Sequence, residues 1–158
     1  MHEIKCKLCD SEYVSPFPST VCQLCQKSGG VTIDDDSITQ TIRGELPDLN
    51  TVINLSKKHY QCYAKLKKQV EFDIIRQLKP QVIENYPVMI EFTWYTKNLR
   101  KDSDNVVFAK KYILDALVNK GILINDSRKY VVGFTDVLLV DKNDERVEVK
   151  IIGREVLR

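Results

Sequence analysis

The chain lacks most of the features that assign a protein at a glance. No run approaches the roughly 18–20 consecutive apolar residues needed to span a bilayer, so a membrane protein is not expected. The opening Met1-His2-Glu3-Ile4-Lys5-Cys6 has no apolar stretch of the secretory kind, which points to a soluble, intracellular protein. There is no internal repeat and no low-complexity tract. A net charge of only +2 leaves the class of partner open. What is present is an ordinary globular composition: 158 residues, 43% hydrophobic, enough for one domain with a small appendage.

Charge is uneven along the chain. Residues 31–50 hold five acidic groups and one basic, whereas residues 51–120 hold thirteen Lys and Arg against seven Asp and Glu. A basic middle suits a polyanionic partner, although a solvated lysine-rich surface would look the same. Within it lies an acidic cluster, Lys101-Asp102-Ser103-Asp104-Asn105, followed by an apolar run and then Asn125-Asp126. Carboxylates converging from nearby elements are what Mg²⁺ needs, because hard cations take oxygen ligands and keep several waters.

Four of the five cysteines form Cys6-x-x-Cys9 and Cys22-x-x-Cys25. Paired CxxC knuckles supply the tetrahedral thiolates of a structural Zn²⁺, and Pro16-Phe17-Pro18-Ser19 between them allows a turn. Roughly thirty residues bury too little surface to fold without a staple, so zinc would stabilise the module. Two disulfides are the competing arrangement, disfavoured by the missing secretory signal. Cys62 reads as an ordinary helix residue.

These features divide the chain into a four-cysteine zinc module over 1–30, a linker and strand start over 31–40, and a main domain over 41–158. Asp34-Asp35-Asp36 lacks the spacing of a calcium loop and reads as a solvated turn. In the main domain, Ile38 to Gly44 alternates as a strand, and Leu46 to Asn50 reads as a loop. Lys57 to Lys79 predicts one long amphipathic helix with Tyr63, Leu66, Val70, Ile74 and Leu78 on its apolar stripe. Val88 to Tyr95 is a β-rich strand. Residues 104–119 predict a second helix, closed by Gly121. Ile122-Leu123-Ile124 is a short buried run, possible as a strand. Val131 to Val140 and Arg146 to Ile152 predict a terminal strand pair around Asp141-Lys142-Asn143-Asp144. The expected fold is α+β: a β-α-β-α-β-β sheet with two helices packed on one face.

Helical phase sharpens the acidic cluster. At 100° per residue, Asp104, Lys111 and Asp115 share one face, with Lys110 off it. Asp102 stands just before the helix, where a one-residue spacer aims two carboxylates the same way. Asp126 could return alongside from a neighbouring element, and Lys111 could hold a phosphate oxygen. Ordinary helix capping would also produce Asp-x-Asp-Asn before a helix, and Lys111 with Asp115 is a routine i, i+4 pair.

Residues 41–152 resemble the RusA-type Holliday junction resolvases, particularly the phage and prophage versions. The resemblance rests on ordered motifs: Gly44-Glu45-Leu46-Pro47-x-x-Asn50, Lys101-Asp102-Ser103-Asp104-Asn105, Lys111-Tyr112-Ile113-Leu114-Asp115-Ala116-Leu117, Gly121-x-x-x-Asn125-Asp126 and Arg146-Val147-Glu148-Val149. It implies a RusA-like fold and a homodimer, in the cytoplasm of a bacterial or phage-infected cell, that cuts four-way DNA junctions symmetrically with Mg²⁺. Asp102, Asp104 and Asp126 fall on the family's essential acidic positions. Where shorter members place their lysine stands Phe108, and an insertion of nearly one helical turn moves the lysine to Lys111. Asn125 departs from relatives that carry a second aspartate there, and the cysteine module lies outside the resemblance.

The expected chemistry is phosphodiester hydrolysis with one or two Mg²⁺ on Asp102, Asp104 and Asp126, and Lys111 at the scissile phosphate. Lys57, Lys58, Lys65, Lys67, Lys68, Arg100 and Lys101 are candidate DNA-backbone contacts. His59, beside the lysines, reads as solvent-exposed or DNA-facing rather than as a general base. The rival is a non-catalytic zinc-containing DNA-binding or regulatory protein on a nuclease-like scaffold.

Overall fold

The computed structural model describes residues 2–5, 12–15 and 37–153. The chain divides into two units, Met1–Asp35 and Asp36–Arg158. In the first, β1 (His2–Lys5) and β2 (Glu12–Ser15) form an antiparallel pair. The proposed zinc ligands Cys6, Cys9, Cys22 and Cys25, and the Asp34–Asp36 turn, lie outside the described residues.

The second unit is α+β. Its elements run β3 (Ser37–Arg43), α1 (Leu49–Lys58), α2 (Tyr60–Gln77), β4 (Val88–Thr96), α3 (Ser103–Val107), α4 (Lys110–Asn119), β5 (Val131–Val140) and β6 (Arg146–Gly153). The four strands form one mixed sheet in the order β3-β6-β4-β5. β6 is antiparallel to both neighbours, and β4 and β5 are parallel. Alternate residues of the two central strands, Val88, Ile90, Phe92 and Trp94 in β4 and Val147, Val149 and Ile151 in β6, are buried together. They share one core with Val70, Ile74 and Leu78 of the α2 segment and with Tyr112, Ile113, Ala116 and Leu117 of α4. The predicted stripe on α2 is therefore the packed face, with Tyr63 and Leu66 at its margin.

The helix predicted over Lys57 to Lys79 is interrupted at His59, and the rest of α1, residues 49–56, was not predicted; the predicted helix 104–119 is also divided. The reading of Leu46–Asn50 as a loop missed a helix start: the Asp48 carboxylate accepts the Thr51 amide at 2.8 Å and the Thr51 hydroxyl at 2.8 Å, opening α1. His59 then takes an extended conformation (φ −164°, ψ 134°) that no helix interior allows. Its backbone amide closes α1 on the Leu55 carbonyl, and its Nδ1 accepts the Gln61 amide to open α2. His59 is a double cap, which gives it a structural role.

Three further corrections concern the second half. Residues 104–119 are not one uniform helix, because i→i+3 bonds from Ala109 to Val106, Lys111 to Phe108 and Tyr112 to Ala109 tighten the junction of α3 and α4. Ile122–Ile124 forms no strand. Gly121 (φ +82°) donates to Val118 and Ile122 donates to Leu117, so the buried Ile122 belongs to a left-handed helix cap. Lastly, β5 and β6 are not a hairpin. β6 slots between β3 and β4, and β5 pairs with β4 instead. Burial explains the order: Val147, Val149 and Ile151 of β6 are at most 4% exposed and require a central place, whereas β5 carries exposed positions on both faces.

Two side-chain amides tie α2 and the segment that follows it to the sheet. Gln40, buried in β3, accepts the Lys79 amide at 2.8 Å and donates to the Lys79 carbonyl at 2.9 Å and to Gln81 Oε1 at 2.7 Å. Gln77 bonds both backbone groups of Arg43, its Oε1 accepting at 2.7 Å and its Nε2 donating at 3.2 Å. Among the described residues, no helix is long and apolar enough to cross a membrane.

Candidate functional site

Asp102 and Asp104 stand at the entrance to α3, both exposed. Asp102 occupies the N-cap position, yet its carboxylate makes no capping bond. Among the described residues, Asp104 accepts only the amide of its neighbour Asn105, at 2.9 Å. The capped-helix account of this motif thus leaves the Asp102 carboxylate without a partner among the described residues.

This contrasts with carboxylates nearby. Asp48 and Glu45 both hold Lys101, Asp115 holds Lys67 at 3.1 Å, and Asp136 holds Lys110 at 2.6 Å. Burial alone would raise the Asp48 carboxyl, but its two bonds from Thr51 and the Lys101 ammonium together lower it. Likewise burial opposes the Lys101 charge, and its bonds to Glu45 and Asp48 outweigh this and raise it. Asp102, Asp104 and Asp126 form no ion pair among the described residues. Leaving acidic groups unpaired in a lysine-rich segment keeps their oxygens available to a cation from solution.

Asp126 lies elsewhere. It is exposed, beside a shallow depression of about 220 Å³ lined by Lys67, Glu71, Asp115, Val118 and Asn119. That places it against the C-terminal half of α4, a helix about 15 Å long, with Asp102 and Asp104 beyond the other end. Among the described residues, no three His, Cys, Asp or Glu side chains form a group able to hold a metal ion. Within one chain, then, the three aspartates are not gathered. The neighbouring Asn125 spends its side-chain oxygen on the Ser127 amide at 2.8 Å, shaping the turn that carries Asp126.

The two lysines of α4 have different fates. Lys111 is exposed and without an ion pair among the described residues. The three i→i+3 steps at the α3–α4 junction each turn the chain by about 120°. The uniform 100° per residue assumed for Asp104 and Lys111 therefore does not hold through the junction. Lys110 is committed: besides Asp136, its ammonium lies 5.2 Å from the Phe92 ring centre and 4.7 Å from that of Phe134. The indole of Trp94 donates to the other oxygen of Asp136 at 2.9 Å, completing a cluster under the sheet edge. Only the parallel pairing of β4 and β5 puts Phe92 beside Asp136, so sequence order could not reveal it.

The candidate DNA contacts separate in the same way. Lys67 and Lys101 are held in ion pairs, the Lys67 ammonium raised by its bond to Asp115. Lys57, Lys58, Lys65, Lys68 and Arg100 are exposed. Sequence reading missed two residues that extend this surface. Phe72 is 57% exposed, and the Arg76 guanidinium lies 5.7 Å from its ring centre. Spacings of three and four residues put Lys65, Lys68, Phe72 and Arg76 on one outward stripe of α2. The signal was available: these positions are the polar complement of the stripe that packs inward.

No protein-family model matches the chain, and no curated protein matches it either.

Proposed function

We propose that this chain is a Mg²⁺-dependent endodeoxyribonuclease of the RusA type that acts on branched DNA, four-way junctions above all. The observation that carries the reading is that Asp102 and Asp104, separated by one residue at the mouth of a helix neither of them caps from the side chain, form no ion pair among the described residues. Mg²⁺ is commonly held by only one or two carboxylates, with water and substrate phosphate completing its shell, so this pair is a sufficient protein donor set. When bound, the ion would supply Lewis-acid chemistry at the scissile phosphate.

The chain's own residues do the rest. Asp102 and Asp104 hold the cation at a fixed position relative to α3. Lys111, exposed at the second position of the following helix, offers a positive charge to a phosphate oxygen. The outward stripe of α2, with Lys57, Lys58 and Arg100, carries the backbone contacts that position DNA. A two-fold junction calls for two matched nicks, which a homodimer would provide. Cys6, Cys9, Cys22 and Cys25 would hold a structural Zn²⁺.

A second reading, a non-catalytic zinc-containing DNA-binding or regulatory protein, draws support from the separation of Asp126 from the other two aspartates. One experiment separates the two. A synthetic four-way junction is incubated with Mg²⁺ and either the unmutated chain or Asp104→Asn. Paired nicks that vanish in the mutant while junction binding persists support the nuclease. Tight binding by the unmutated chain with no cleavage in Mg²⁺ or Mn²⁺ overturns it.

A further inference from the structure

A pocket of about 480 Å³ opens between the end of β3 and α2, and none of Asp102, Asp104 and Asp126 lines it. Its volume is that of a small-ligand site, roughly 300–1,000 Å³. The fold fixes its walls. Gly44, at φ +99°, turns the chain out of β3 and donates to the Glu145 carbonyl at 2.8 Å, which sets Glu45, Leu46 and Pro47 as one wall. On the α2 side, Gln77 commits both ends of its amide to the Arg43 backbone, so it holds the corner of the pocket rather than a ligand. Val70 and Ile74, both buried, give an apolar floor.

Four charged side chains line this pocket, and two are already neutralised. Arg43 is paired with Asp144, and Glu45 holds Lys101 at 2.5 Å. Asp73 and Arg76 form no ion pair among the described residues. Asp73 accepts the Gln69 side-chain amide at 3.1 Å on one oxygen, which leaves the other open to a donor. The pocket therefore offers one anion-binding and one proton-accepting group above an apolar floor.

We infer that this pocket takes one nucleotide unit, with the base on the apolar floor, a base N–H on the Asp73 carboxylate and the phosphate on the Arg76 guanidinium. A carboxylate accepts from the amino groups of bases, and a guanidinium matches a phosphate. An amino acid would also bridge the two charges, and location favours the nucleotide. Arg76 lines the pocket and also ends the outward stripe of Lys65, Lys68 and Phe72, its guanidinium 5.7 Å from the Phe72 ring centre. A phosphate backbone following that stripe reaches the pocket at Arg76, beside an exposed ring on which a further base can stack. For a nucleotide within a strand, the inference rests on the reading of this stripe as DNA-facing. The same donors and acceptors would hold a free nucleotide.

The test uses no metal and no cleavage, so its failure and that of the nuclease reading are distinguishable. The isotope-labelled full-length chain is titrated, under NMR observation, with deoxyadenosine monophosphate and separately with a short single-stranded oligodeoxyadenylate. Amide signals of Arg43 to Leu46 and of Val70 to Gln77 should shift together and saturate. Contact with the α2 stripe alone would move only the second set. Shifts of both sets with the mononucleotide support a site for a free nucleotide, and shifts of both sets with the oligomer alone support a site for a strand. Asp73→Phe, which fills the pocket, should bind the oligomer about tenfold more weakly than Asp73→Asn. Both variants remove the same negative charge, so a strand held by charge alone would bind them equally. If Asp73→Phe fails to fold, Arg76→Gln carries the test and should abolish the shifts of Arg43 to Leu46. Unmoved Arg43 to Leu46 signals with both ligands, equal shifts with free leucine, or equal affinity of the two Asp73 variants overturns the inference.

Discussion

Lys110→Met against Lys111→Met is the sharpest test of how this structure divides its charges. The Lys110 ammonium sits 2.6 Å from Asp136, with side chains 18% and 24% exposed. An exposed ion pair contributes about 0–1 kcal/mol, whereas breaking a buried one costs about 3–5 kcal/mol. This pair lies between those limits, at about 2 kcal/mol, because Trp94 still donates to the stranded carboxylate. Loss of the cation from the Phe92 and Phe134 rings adds about 0.5–1 kcal/mol. Methionine keeps the apolar stem packed, so Lys110→Met should cost about 2–3 kcal/mol and lower the urea midpoint by about 1 M. Trp94, the single tryptophan, is part of the cluster, so its fluorescence reports this unit specifically. Lys111→Met should stay within about 0.5 kcal/mol of the unmutated protein, as exposed substitutions usually do. Equal midpoints for the two variants would refute the assignment. A double variant, Lys110→Met with Asp136→Asn, should lose less than the sum of the singles, by about 1–2 kcal/mol.

Other outcomes follow from the same geometry. Gln40→Leu removes three bonds and strands both backbone groups of Lys79, so thermal unfolding should show a loss of about 2–4 kcal/mol. The Lys67 ammonium is raised above its unfolded value, so its pair with Asp115 stabilises fully below about pH 10 and is lost as pH rises through the folded value. Lys67→Met should therefore flatten the decline of stability between about pH 10 and 12, read from midpoints in denaturant. Phe72→Ala with Arg76→Ala should weaken junction binding about tenfold or more without altering the circular dichroism spectrum, since both side chains face solvent. Unchanged binding would remove the α2 stripe from the DNA surface.

Local chemistry was the legible part. The inward stripe of α2 follows from 3.6-residue periodicity, and Gly121 from the positive φ that a helix C-cap requires. The two helix breaks were harder to see. At His59 the same residue caps both neighbours, and lysines on either side preserve an amphipathic pattern straight through it. The order β3-β6-β4-β5 was hidden too, because the polar turn after Val140 reads as a hairpin unless the burial of β6 on its core face is known.

The sequence by itself determined the four strands of the main unit and most of α2 and α4, that this unit is α+β, and where an aspartate pair stands before a helix. These depend on neighbours a few residues away, whose spacing is written in the chain. Tertiary structure alone decided which charges are spent. Lys101 meets Glu45 across 56 residues and Lys110 meets Asp136 across 26, while Asp102 and Asp104, with cations nearby in sequence, meet none among the described residues. An ion pair depends on distance in space, and only the closed sheet sets that distance.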